Sequence, residues 1–321
     1  MAERTSYVCT VDPVQVARIR GYLEDRGWRL ATAPYAHWKA DREGTTVVAY
    51  QSGKLTVQGK GTAELVAFFI EPEIIGEARF GYEDALAERE NPAMFTPHAG
   101  IDESGKGDYF GPLVVAACYV DADSARQMLL MKVADSKTIK SGRRIVELAA
   151  KIRTVSAGRF SVVAIGPEAY NRLYEKFGNL NRLLAWGHAK ALENLLEREP
   201  SCPRAISDQF GRKETVLRAL QERGRHIHLE QHPRAEADIA VAAASILARD
   251  EFVRRLEALS RQVGIALPKG AGPAVTQAAT ELARRNPDAL RTVAKLHFRT
   301  TGVVLGTAPA AESADADSAP A

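Results

Sequence analysis

The run His98-Ala99-Gly100-Ile101-Asp102-Glu103-Ser104-Gly105-Lys106-Gly107-Asp108-Tyr109-Phe110-Gly111-Pro112, continuing into Leu113-Val114-Val115-Ala116-Ala117-Cys118-Tyr119-Val120, decides how this chain reads. Two adjacent carboxylates stand against a glycine-lysine-glycine turn, between two apolar β-like segments. Carboxylates are hard oxygen ligands suited to Mg²⁺, which keeps several waters, takes one or two protein carboxylates and completes its shell with substrate phosphates. Gly105 and Gly107, without Cβ atoms, let the backbone approach a sugar-phosphate chain closely. The pattern points to metal-dependent phosphodiester chemistry.

Two other readings compete with it. Gly100, four residues, Gly105 and Lys106 match a nucleotide-binding P-loop except at its last position, where Ser or Thr would hold Mg²⁺ and a helix would begin. Here Gly107 follows the lysine, the next regular element reads as a buried strand, and Asp102 and Glu103 would sit inside the phosphate cradle and repel the ligand. The blander alternative is a surface hairpin carrying charges at its turn.

Composition sets the outer limits. A chain of 321 residues with 45% hydrophobic content is long enough for two domains and a substantial core. A net charge of +3 neither demands nor excludes a nucleic-acid partner, because a local basic stripe matters more than the total. Cys9, Cys118 and Cys202 are far apart and form no Cys-x-x-Cys pair, so they read as free thiols in a reducing compartment. The opening Met-Ala-Glu-Arg-Thr-Ser lacks a signal-peptide apolar run and no segment is long enough to span a bilayer, which leads us to expect a soluble, cytoplasmic protein.

Residues 6 to 75 read as a small α+β unit. A strand at Tyr7 to Val11 precedes a helix from Pro13 to Arg26, with Asp12 placed to cap and Pro13 in the first turn. Strands follow at Trp28 to Thr32, Ala36 to Ala40, Thr46 to Tyr50 and Leu55 to Gln58, then a helix from Thr62 to Glu71. Residues 96 to 303 alternate strands and helices, as in an α/β layer fold. Its strands are expected at Ala99 to Ile101, Leu113 to Val120, Phe160 to Ile165, Arg204 to Ser207 and His226 to Leu229. Helices are expected at Gly142 to Val155, Glu168 to Phe177, Asn181 to Arg198, Lys213 to Arg223, Ala237 to Val263 and Ala274 to Arg285. After Leu305 the chain turns small, acidic and free of aromatics, and reads as a disordered tail without a catalytic part.

A second distinctive stretch is Phe177-Gly178-Asn179-Leu180-Asn181-Arg182-Leu183-Leu184-Ala185-Trp186-Gly187-His188. Together with Asp-Glu-Ser-Gly-Lys-Gly at 102–107, it resembles the ribonuclease HIII family of type 2 ribonucleases H, which cut the RNA strand of RNA/DNA hybrids. The 102–107 motif is shared in form across the wider type 2 group, whereas 177–188 looks specific to the HIII branch. The resemblance runs from residue 96 to Thr301 and extends more weakly into the N-terminal part. It implies an α/β ribonuclease H-like mixed sheet flanked by helices, preceded by a small α+β domain related to one repeat of the TATA-binding protein. The expected division is 1–85 for that N-terminal substrate-binding domain, 86–95 for a linker, 96–305 for the catalytic domain and 306–321 for the tail.

The resemblance also implies a set of roles. Two Mg²⁺ ions, with Mn²⁺ as a substitute, would stabilise the attacking and leaving oxygens of an in-line displacement and leave 5′-phosphate and 3′-hydroxyl ends. Two carboxylates are too few for two ions. Asp208, at the end of a short strand where α/β sheets bind ligands, reads from sequence as a helix cap and by resemblance as the third ligand. The family's last acid precedes an alanine-rich helix and corresponds here to Glu236, with Asp238 as the capping residue or its exchange partner. Gly105, Lys106 and Gly107, assisted by Ser104, correspond to the turn that reads the 2′-hydroxyl. Asp135 is expected to order its loop and Lys137 to meet a phosphate, while Asn179, Asn181 and His188 are candidate contacts to sugar or phosphate oxygens, with asparagine capping and a buried histidine as equally ordinary readings. Lys295 to Thr301, basic and aromatic, suits either a backbone contact or helix docking. Trp28, Tyr35, Trp38 and Tyr50, interleaved with Lys39, Lys54 and Lys60, suggest a sheet face for nucleic acid, set against the ordinary role of strand aromatics as core. The expected partner is the hybrid duplex, bound by a monomer with no obligate protein partner. Activity on a single ribonucleotide within duplex DNA, as in ribonuclease HII, and a non-catalytic hybrid-binding module remain the alternatives.

Overall fold

The computed structural model describes residues 5–77, 79–80, 88–208, 213–220, 223–233 and 235–307. Chain contacts divide it into two units, Met1–Asn91 and Pro92–Ala321. Part of the expected linker and the tail beyond Thr307 lie outside the described residues.

In the first unit, alternation of small apolar and polar residues builds a one-sided sheet. The strands are β1 (Ser6–Thr10), β2 (Arg29–Ala31), β3 (Ala36–Arg42), β4 (Thr45–Tyr50) and β5 (Lys54–Gly59), in antiparallel order β1-β5-β4-β3-β2. One face, with Ala40, Val47, Ala49, Leu55 and Val57, packs on Ile19 and Leu23 of the helix Pro13–Asp25 and on Phe69 and Ile70. Asp12 caps that helix as expected, in a reciprocal box with Gln15. The second helix begins at Thr62 but passes after Leu65 into a π-helix, Val66–Ile75, whose wider turns carry Pro72, a residue with no N–H to donate.

The anticipated aromatic face is only half present. A β-bulge between Ala36 and Trp38 shifts the β3–β4 register, so that Ala36 pairs with Tyr50 but Trp38 pairs with Ala49. Without that extra residue Trp38 would stand opposite Val48, on the other face. Trp38 is therefore core, and Trp28 packs against the same core. The open face keeps Tyr50, Lys39 and Lys54, beside Val8 and Val48, while Tyr35 is 84% exposed in the β2–β3 connection at a positive φ of 60°.

The second unit carries the mixed sheet. Its strands are β6 (His98–Ser104), β7 (Leu113–Val120), β8 (Phe160–Ile165), β9 (Arg204–Asp208) and β10 (His228–His232), in the order β10-β9-β6-β7-β8. β6, β7 and β8 pair antiparallel; β9 is parallel to both β6 and β10. Helices cover both faces, and every residue of β7 is buried in consequence. On one side Ala99, Ile101, Val115 and Ala117 pack on Ala185, Ala189 and Leu192 of the helix Leu180–Leu196. On the other lies the alanine-rich helix Ile239–Val263, which Gly100 admits, since a Cβ there would lie 2.1 Å from the backbone of Ala240 and Val241.

Two strands differ from expectation. β6 continues through Ser104, because β7 offers an unbroken ladder partner opposite Asp102, Glu103 and Ser104. β10 starts two residues later and follows the parallel register of β9 as far as His232 opposite Asp208. Short helices at Ala122–Leu130, Ala289–Val293 and Arg299–Val304 were not anticipated, although Asp121 and Ser124 form a capping box at the first of them.

Candidate active site

Because β6 remains a strand through Ser104, its consecutive carboxylates project to opposite faces. Asp102 lies on the side of the helix Ile239–Val263, 7% exposed, and its Oδ1 accepts the Glu103 N–H at 2.7 Å. Glu103 turns toward the helix Leu180–Leu196, where its Oε2 accepts from His188 Nε2 at 3.0 Å and its Oε1 stands 3.5 Å from Lys106 Nζ. Burial and then the Glu103 charge push the Asp102 carboxyl well above the usual carboxylate range, with Asp208 adding in the same direction. Burial alone would raise Glu103 too, but the His188 hydrogen bond and the Lys106 charge hold it below its ordinary value.

His188 corrects an expectation. It is fully buried, so it is not placed to touch a sugar or phosphate; instead it links two strand ends. Its Nδ1 faces Ser207 Oγ at 3.2 Å, and that hydroxyl also lies 3.0 Å from the Asp208 carbonyl. The imidazole therefore orients Glu103 from behind while bracing the end of β9.

Asp208 sits at the end of β9, in the cleft with Asp102. Its Oδ1 is 3.5 Å from the N–H of Ala235, which brings the turn Ala235–Ala237 alongside. The two acids of that turn have distinct surroundings. Asp238 is the N-cap of the helix Ile239–Val263: it accepts from Ala240 N at 2.9 Å and Val241 N at 3.3 Å, and lies 3.0 Å from Nε2 of the buried His98. Glu236 is partly exposed, and its charge reaches Lys137 together with those of Asp102 and Asp208.

A cleft of about 430 Å³ joins Asp102, Glu103 and Asp208 with Ser104, Gly105, Lys106, Gly107 and Lys137; Glu236 and Asp238 are not among its lining residues. Asp135 accepts the Lys137 N–H at 3.1 Å and so orders the loop, as expected, while Ser136 N donates to Ser245 Oγ at 2.9 Å and anchors it to the long helix. Burial tends to lower the Lys137 ammonium, but the charges of Asp102, Asp135, Glu236 and Asp208 raise it above its usual value. Among the described residues no three His, Cys, Asp or Glu side chains stand close enough to enclose an ion, and Glu103 is engaged by His188 and Lys106. The donor set is nevertheless that of a hard cation: carboxylates, one of them buried and destabilised as an anion, around a cleft where a lysine supplies positive charge.

The two glycines of the turn are unlike. Gly105 has φ +91°, and a Cβ on it would lie 2.2 Å from Pro112 O, so the protein itself requires glycine there. At Gly107 a Cβ would meet nothing within 4 Å. Asn179 and Asn181 do not line this cleft. Asn179 caps the helix Leu180–Leu196 through the Asn181 N–H at 2.7 Å, and both line a separate groove with Phe177, Arg182, Trp186 and Arg218. The cleft also holds Arg249 and Lys269, which sequence reasoning missed. Arg249 lies in the expected helix, where a charge among alanines was its one signal; Lys269, in a Pro-Lys-Gly turn, gave none.

Residues 99–301 match the family model described as Ribonuclease HII, and residues 6–76 match one described as Domain of unknown function (DUF3378). The mixed sheet and its acidic strand ends thus define a ribonuclease H, a hydrolase of the endonuclease type. Within that class the similarity extends over nearly the whole chain. The Ribonuclease HIII of Protochlamydia amoebophila (strain UWE25) is 40% identical over 307 residues, 95% of this chain and 99% of its own. That of Chlamydia pneumoniae is 41% identical over 297 residues, 92% and 96% respectively. Among solved structures, Bst-RNase HIII in complex with Mn²⁺ is similar at a TM-score of 0.62 with 32% identity, over 94% of this chain and 98% of that one. The chain belongs to the ribonuclease HIII family.

Proposed function

We propose that this protein hydrolyses the RNA strand of RNA/DNA hybrids, with Asp102, Glu103, Asp208 and Glu236 as the ligands of divalent cations. The observation that carries this reading is the buried, anion-destabilised Asp102 at a strand end, in one cleft with Asp208, Lys137 and the glycine-lysine-glycine turn. The Mn²⁺ complex of the similar Bst-RNase HIII supports a divalent cation here. These carboxylates would hold Mg²⁺ or Mn²⁺, two ions per site, which would supply Lewis acidity for the attacking water and the leaving 3′ oxygen.

The chain's own residues do the rest. Asp102 and Asp208 come from adjacent strands of one sheet, and His188 holds one oxygen of the Glu103 carboxylate from behind. Asp238, engaged by the helix N-terminus and His98, is structural, which leaves Glu236 to complete the acidic set. Ser104, Gly105, Lys106 and Gly107 face the ribose whose 2′-hydroxyl distinguishes RNA from DNA, and the open space beside Gly107 admits that backbone. Lys137 meets a phosphate and orients the scissile bond. The products carry 5′-phosphate and 3′-hydroxyl ends, and the protein acts as a monomer.

The test uses a labelled RNA/DNA hybrid and, in parallel, duplex DNA bearing one ribonucleotide, each with Mg²⁺ or with chelator. Metal-dependent cutting of the continuous hybrid is expected. Cutting of the single-ribonucleotide duplex alone would move the activity to the HII type, and tight hybrid binding without cutting would make the protein a binding module.

A further inference from the structure

Between β6 and β7 the chain turns inward. Tyr109, Phe110 and Gly111 are buried, so the loop of residues 105–111 runs partly through the interior, while Asp108 is partly exposed. Buried backbone of this kind needs partners from elsewhere in the protein. Lys295, 0% exposed, supplies them: its Nζ donates to the carbonyl of Asp108 at 2.7 Å and to that of Gly111 at 2.8 Å. The ammonium also lies 5.6 Å from the centre of the Tyr170 ring. Burial pushes it down to about 7, with the charge of Asp108 working in the opposite direction.

The backbone around Lys295 reinforces the same attachment. Lys295 N donates to Tyr109 O and Gly111 N to Val293 O, each at 2.8 Å, and Phe110 bridges to Ala294. Asn171 fastens this segment from behind, donating to Ala294 O at 3.0 Å and accepting from Leu296 N at 3.0 Å. On its other side the loop holds a second turn. Asp108 Oδ1 accepts from Gly270 N at 2.6 Å, and Tyr109 N donates to Gly270 O at 2.9 Å, which sets Lys269 at the cleft.

From this geometry we infer that Lys295 is a positioning residue for substrate discrimination: by gripping Asp108 and Gly111 it fixes where Lys106, Gly107 and Lys269 stand against the ribose-phosphate chain. The inference rests on the proposed function. A methionine of similar length would fill the space yet leave the buried Gly111 carbonyl and the partly buried Asp108 carbonyl without the ammonium donor, releasing the loop. Lysine suits the place because two carbonyls on one loop can share a single ammonium.

The experiment compares the wild type, Lys295→Met and the milder Asn171→Ala. It measures cleavage of an RNA/DNA hybrid, affinity for that hybrid and for the same sequence as duplex DNA, thermal unfolding, and hydrogen exchange over residues 105–111. In Lys295→Met, kcat/KM on the hybrid should fall by about 10- to 100-fold, as expected for loss of positioning. The preference for hybrid over DNA in binding should fall with it while DNA affinity holds, and exchange should quicken in 105–111. Asn171→Ala should move every readout the same way by about threefold or more. Faster exchange with an unchanged hybrid preference, or equal losses on both duplexes, would overturn the inference and leave Lys295 a purely structural residue. If Lys295→Met fails to fold, Asn171→Ala decides by the same criterion. A wild type that prefers hybrid in binding but never cuts it would refute the proposed function without touching this inference.

Discussion

The two five-stranded sheets of this chain handle their faces differently. The N-terminal sheet is wholly antiparallel and buries one face on two helices, leaving the other open. The mixed sheet is covered on both sides, and the acids that line its cleft, Asp102, Glu103 and Asp208, stand at the ends of β6 and β9. A covered sheet can present function only at its edges, where a few side chains are held by many neighbours; an open face can present a broad, replaceable surface. Substitutions should therefore act sharply in the second unit and diffusely in the first.

The largest contrast is expected within the acidic turn. Glu236→Gln should lower hybrid cleavage by about three orders of magnitude, the loss of several kcal/mol of transition-state stabilisation. Asp238→Ala should retain most activity and instead cost about 1–2 kcal/mol of stability in chemical denaturation, as a lost N-cap does. The reverse pattern would exchange the two roles. In the first unit, Trp38→Ala should destabilise the fold by about 3–5 kcal/mol in the same measurement, because the side chain is core. Lys54→Ala, on the open face, should leave stability within about 0.5 kcal/mol. Its hybrid affinity should fall and the salt dependence of binding flatten by about one counterion. An affinity unchanged across salt would show that this face does not meet the duplex.

The smallest effect concerns pH. The Asp121 carboxyl is held down to about 2: burial would raise it, but hydrogen bonds from the Ser124 backbone and side chain and the Arg159 pair outweigh that. Because the folded value lies below the ordinary one, the stabilisation is complete above pH 4 and fades as pH falls toward 2. Asp121→Ala should lower the unfolding temperature at pH 7, and its difference from the wild type should shrink across that acidic window.

How much was legible in the sequence follows from what each residue depends on. Asp102, Glu103 and the glycine-lysine-glycine turn form one short run, so local pattern singled them out, whereas Asp208 read from the sequence as a helix cap and entered the candidate set only through the family resemblance. Two acids before a helix look alike in sequence, so Glu236 was set apart from Asp238 by family resemblance; the backbone shows Asp238 as the cap. For His188 the sequence left a substrate contact and a buried histidine equally open, because its partner lies 85 residues away and its burial depends on packing across the sheet. For Trp38 the sequence left core and open face both standing, because a single bulge residue decides its face. Lys295 stood out only as part of a basic-aromatic run, and docking in the interior, one of the two readings of that run, is what its contacts show.

The most direct measurement is single-turnover cleavage of a labelled RNA/DNA hybrid in Mg²⁺ by the wild type and by Asp102→Asn, with hybrid binding followed on the same samples. The account predicts cutting by the wild type, abolished by chelator, and a variant that binds the hybrid nearly as well but does not cut it. Comparable cutting by Asp102→Asn would contradict it, because the buried carboxylate at the end of β6 would then have no part in the chemistry.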